Sequence, residues 1–106
     1  MLTDVIWKYE VPYPDSHGRA YIDLHLDSEL LSVGIQKGTM VVWARVGAPF
    51  EGHRDTQRHR LIVVNTGQDV RAFTGRFLGT VTSGEIVWHV WDGGPTRAAN
   101  SHPDPK

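Results

Sequence analysis

The chain contains no cysteine, so neither a disulfide framework nor a thiolate metal site is open to it. Apolar burial and backbone pairing must hold the fold. It has no apolar run near the roughly 20 residues that a membrane-crossing helix needs. The opening Met1-Leu2-Thr3-Asp4 lacks the basic and apolar regions of a signal peptide. A soluble, cytoplasmic protein that stays off membranes is the expectation. Neither sign of charge is in excess, with 12 acidic residues against 11 basic, which argues against attraction to nucleic acid or lipid by bulk electrostatics. No long stretch carries apolar groups at a 3.6-residue period, so helix is expected to be minor.

What the chain does have is short apolar, β-branched runs separated by turn residues, the pattern of an all-β sandwich or barrel. Its 106 residues suit one domain. Strands are expected over residues 5–11, 20–26, 30–36, 40–46, 58–65, 77–82 and 86–91. They would form a single small antiparallel barrel or two-layer sandwich of about seven strands, mostly in meander order. Lys37-Gly38-Thr39 and Ser83-Gly84-Glu85 should each close a hairpin. Residues 47–57, with Pro49, Gly52 and several charges, read as an exposed loop, and residues 69–74 as a short helical turn. The β domain is expected over residues 1–92. Residues 93–106 hold too little apolar surface to offset the entropy of ordering them and read as a flexible tail.

Chemistry-bearing residues concentrate in His53-Arg54-Asp55-Thr56-Gln57-Arg58-His59-Arg60. Guanidinium groups grip phosphate and carboxylate oxygens in pairs, so Arg54, Arg58 and Arg60, with His53 and His59, form the expected ligand or partner site. The plainer reading is a solvated loop whose charges protect a strand edge. His53, Asp55 and His59 match no compact metal spacing, and the arginines among them oppose a cation, so no metal site is expected. Trp7 and Trp88 share strand faces with apolar neighbours and are expected in the core. Trp43 beside Arg45, and Trp91 beside His89, lie on polar faces where a ring can anchor a partner. His89 reads as a hydrogen-bonded structural residue, while Asp23 and His25 share a strand face. No nucleophile with a recognisable base and no phosphate-binding glycine motif is present, and no cofactor is expected.

The blocks Ile6-Trp7-Lys8-Tyr9, Leu30-Leu31-Ser32-Val33-Gly34-Ile35-Gln36-Lys37-Gly38, Val42-Trp43-Ala44-Arg45-Val46, Thr66-Gly67, Phe77-Leu78-Gly79-Thr80-Val81 and Val87-Trp88-His89-Val90-Trp91 occur in this order along the chain. Together they resemble a family of short phage and prophage proteins of unknown function. The resemblance implies an actinobacteriophage or prophage origin and an accessory role in the bacterial host cytoplasm. It transfers no catalytic residue, and it does not reach the polar loop 47–57 or the tail.

The resulting expectation is a non-enzymatic accessory protein that binds a host protein or a phosphorylated small molecule such as a defence signalling nucleotide, in an anti-defence or host-takeover role. The alternatives are a virion-associated assembly module and a weak single-strand nucleic-acid binder. Exposed sheet edges and tryptophan-bearing faces also point to a homodimer or larger symmetric assembly.

Overall fold

A computed structural model describes residues 3–47, 55–70 and 75–96. Seven antiparallel strands follow in chain order: β1 (Val5–Glu10), β2 (Arg19–His25), β3 (Ser28–Gln36), β4 (Thr39–Val46), β5 (Thr56–Asn65), β6 (Arg76–Ser83) and β7 (Ile86–Pro95). The described residues contain no helix. The expected helical turn over residues 69–74 lies largely outside the described residues.

The strands form two sheets, one of order β1-β4-β3 and the other of order β2-β5-β7-β6. They pack face to face as an open sandwich, not a closed barrel. Meander order holds only for the hairpins β3-β4 and β6-β7; the pairings β1-β4, β2-β5 and β5-β7 join strands distant in sequence. The β3-β4 turn is the two-residue loop Lys37-Gly38, with φ of 52° and 80°. Positive φ at both positions marks the turn whose twist matches that of the strands, and glycine adopts it without steric cost.

Strand alternation explains the core. Ala20, Ile22 and Leu24 of β2, Leu61 and Val63 of β5, and Trp88 and Val90 of β7 point inward from the larger sheet, and they meet Leu30, Val42 and Ala44 of the smaller one. Leu26, expected on the same face as Leu24, is exposed because β2 ends at His25.

Trp88 is in the core at 7 % exposure, with Tyr13 edge-on to its ring at 5.6 Å. Trp7 is not, at 44 % exposure. It does share the inner face, opposite Ala44, but β1 is an edge strand with little of β2 beneath it, so the ring lies at the rim, 6.2 Å from the His25 ring.

The seams between the sheets differ. On one side β3 lies beside β6: Arg76 donates to the Leu30 carbonyl, and each of these two edge strands carries a register shift, at Leu30/Ser32 and at Phe77/Gly79. On the other side β1 and β2 keep unbroken register with their neighbours and barely touch each other.

Residues 93–95, expected in the tail, belong to β7. They are ordered by backbone pairing, which apolar content does not report. His59 is in register with Pro95, Arg60 lies over Gly93, and the Thr96 N–H donates to the Arg58 carbonyl at 2.9 Å.

Candidate functional site: the outer face of the four-stranded sheet

With Leu61 facing inward, Arg58, Arg60 and Ile62 of β5 must face outward. Register then determines their company. Arg60 lies opposite Tyr21 and Ile62 opposite Trp91, while Trp91 lies opposite Phe77. The guanidinium carbon of Arg58 sits 4.6 Å from the Tyr21 ring centroid, a cation–π contact. Arg60 reaches across β5 to β7 and donates to the Gly93 carbonyl at 3.3 Å. Farther along, the Phe77 and Trp91 rings meet at 5.1 Å and 62°. Phe77 is half exposed, at 50 %. The face therefore carries a stripe of Tyr21, Arg58, Arg60, Trp91 and Phe77 drawn from all four strands.

Among the described residues, no carboxylate forms an ion pair with either arginine. Asp23 is opposite Arg58 in register, yet Arg58 lies over the tyrosine instead. Among the described residues, then, both positive charges remain available to an anion. His89, on the same face, has both ring nitrogens engaged by hydroxyls, Thr66 Oγ1 at 2.8 Å and Thr80 Oγ1 at 3.0 Å. It orders the strands around the stripe.

The other expected site residues fall elsewhere. Trp43 and Arg45 face outward from the opposite sheet, because β4 belongs to that sheet. Trp43 is not a free stacking platform: its ring lies across Gly34, where a Cβ would stand 2.8 Å from the ring edge. Lys8 of β1 is opposite Trp43 and bonds Gln36 at 2.7 Å on the same face. Replacing Gly34 by alanine should displace the ring, and a red-shifted, weakened tryptophan emission would report it. His53 and Arg54 lie outside the described residues.

His59 faces away from Arg58 and Arg60. Its Nε2 lies 2.5 Å from Asp92 Oδ1, and the same carboxylate oxygen accepts the Gly94 N–H at 2.9 Å. Burial works to raise the Asp92 pKa, but hydrogen bonds from His59 and the Gly94 N–H, with the nearby charges of His59 and Arg76, outweigh it and hold the carboxyl below its ordinary 3.8. A depressed carboxylate stabilises the fold above its ordinary pKa, and that contribution disappears as pH falls through the lower folded value. Asp92→Asn should therefore cost about 1–2 kcal/mol at neutral pH. It should also flatten the loss of stability below about pH 4, read from urea midpoints across the acid range.

His25, which shares a strand face with Asp23, reaches across to the other sheet: its Nδ1 lies 2.5 Å from the Tyr9 hydroxyl. Burial pushes the Tyr9 hydroxyl pKa up, against the lowering effect of the hydrogen bond it accepts from the His25 N–H. This contact bridges the two sheets at the sparse β1/β2 seam. Among the described residues no three His, Asp or Glu side chains gather as metal ligands.

The aromatic half of the stripe was only partly expected. Trp91 was marked by its polar strand neighbour, but Tyr21 and Phe77 were not. Their signal was the odd-even alternation of β2 and the hairpin register of β6-β7.

A family of domains of unknown function, DUF7352, matches residues 2–101, nearly the whole chain. The chain belongs to this DUF7352 family. The match spans every strand of the sandwich, so the fold described here is the DUF7352 domain in this chain. Neither a curated protein nor a solved structure matches it.

Proposed function

We propose that this DUF7352 domain is a non-enzymatic binding module that docks an acidic protein surface on the outer face of its four-stranded sheet. The observation that carries the reading is the pair of arginines with no carboxylate partner among the described residues, flanked by the half-buried Tyr21 and Trp91 rings and the exposed Phe77 ring. Tryptophan, tyrosine and arginine supply most of the binding energy at protein interfaces, whereas small ligands are usually enclosed in concave sites. A stripe on the outside of a sheet suits a protein better than an enveloped metabolite. The resemblance to phage proteins makes a bacterial host protein the natural partner, in the host cytoplasm.

The test is affinity capture from bacterial lysate with the intact chain and with Arg58→Ala/Arg60→Ala. A host protein that elutes as salt rises and is lost with the double variant supports the site; undiminished capture overturns it. Because both residues sit on the surface, the double variant should cost about 1 kcal/mol or less of stability, chiefly the cation–π contact. Single-stranded nucleic acid also stacks on aromatic rings beside arginines. The net charge of −1 disfavours it, and salt-sensitive binding of a labelled oligothymidine would replace the protein reading with that one.

A further inference from the structure

The four sheet edges are not equivalent. Strands β3 and β6 cover one another's side of the sandwich and carry the register shifts that blunt edges. Strand β2 has its outward groups taken at both ends. The Gly18 carbonyl accepts from Val63 of β5, so by alternation the odd residues of β2 point their backbone groups outward. Of these, the Arg19 carbonyl accepts the Asp15 N–H at 2.8 Å and the His25 N–H donates to the Tyr9 hydroxyl.

Strand β1 differs. The Val11 N–H donates to the Met40 carbonyl at 2.9 Å, continuing the β1-β4 ladder. Odd residues of β1 therefore face β4, and the N–H and C=O groups of Asp4, Ile6, Lys8 and Glu10 face outward. Among the described residues nothing meets them. The strand has no bulge and no proline, and it leaves Ile6 57 % exposed. Its sequence also selects a partner.

We propose that β1 pairs antiparallel with β1 of a second copy about a two-fold axis at Ile6, joining the two three-stranded sheets into one continuous sheet. In this register Ile6 faces Ile6 of the second copy, and Asp4 faces Lys8 on either side of it, so every outward pair exchanges its backbone bonds and both flanking pairs have opposite charge. The inner face sets Val5 against Trp7 of the second copy. Neighbouring registers are worse. An axis at Trp7 sets Asp4 against Glu10, and an axis at Lys8 sets that lysine against itself. An axis at Tyr9 does match Lys8 with Glu10, but it carries Ile6 onto Pro12, which has no N–H to donate. The interface is isologous and closes as a dimer, consuming an edge that would otherwise template aggregation.

The experiment is sedimentation equilibrium of the full chain over a dilution series, with folding followed by circular dichroism. The wild-type chain should be dimeric. Ile6→Pro deletes an outward donor without touching the β1-β4 ladder and should give a folded monomer. Should that variant fail to fold, the charge variants decide. Asp4→Lys should weaken the dimer by about tenfold or more, and Asp4→Lys/Lys8→Asp should restore it. A wild-type chain that stays monomeric throughout overturns the proposal. So does a dimer that is indifferent to both Asp4→Lys and Ile6→Pro.

Discussion

Replacing Leu61 with alanine should destabilise the domain by about 2–5 kcal/mol, among the largest losses available from a single side chain in this fold. Leu61 is fully buried, in the middle of β5, with β2 on one side and β7 on the other. Its side chain meets the inner face of the smaller sheet, so truncation both forfeits transfer free energy and opens a cavity that three strands in one ladder cannot easily collapse. Domains of this size have roughly 5–15 kcal/mol of stability in all. The melting temperature should fall by about 8–40 °C, since 1 kcal/mol corresponds to about 4–8 °C here. Thermal denaturation by calorimetry or circular dichroism measures it. A drop of under about 3 °C would mean that β5 is not central to the core.

Gly75→Ala should be of similar severity for a different reason. Gly75 has φ of +100°, and a Cβ there would stand 1.9 Å from the Asp92 carbonyl oxygen. The obstacle is backbone, held in place by the β6-β7 ladder, so neither group can yield without breaking pairing at Arg76 and Asp92. Positive φ for a non-glycine residue and a forced overlap together should cost about 3 kcal/mol or more. Gly67→Ala separates the two contributions. That residue has a comparable φ of +96° but nothing within 4 Å of the added carbon, so it pays only the conformational part, about 1–2 kcal/mol. Equal losses at the two positions would show that the Asp92 contact is not tight.

The positions of the strands were legible because each is a short alternating run bounded by turn residues. Trp88 could be assigned to the core, and the two hairpins to their turns, from local pattern alone. What local pattern cannot carry is which sheet a strand joins. Trp43 and Arg45 are on β4, the strand that comes immediately before β5 in the chain, yet they lie on the opposite outer face from Arg58 and Arg60. The same ambiguity misplaced Trp7. Alternation assigned it correctly to an inward face, but burial also requires a strand above it, and β1 lies at an edge. The contact between His59 and Asp92 joins residues 33 positions apart through the β5-β7 pairing. In the stripe, the arginines were visible as a cluster, while Tyr21 and Phe77 became neighbours of Arg58 and Trp91 only through register.

The pairing scheme also sets how the chain can reach its native state. Only β3-β4 and β6-β7 can close as local hairpins, events of about 1–10 μs. The remaining ladders must find partners across long intervals: β1 waits for β4, and β2 for β5. Each such closure spends chain entropy before any contact repays it, so folding is expected on the slow millisecond-to-second scale of non-local β topologies. Strand β5 joins both β2 and β7, so until it docks the first half of the chain and the last hairpin share no sheet.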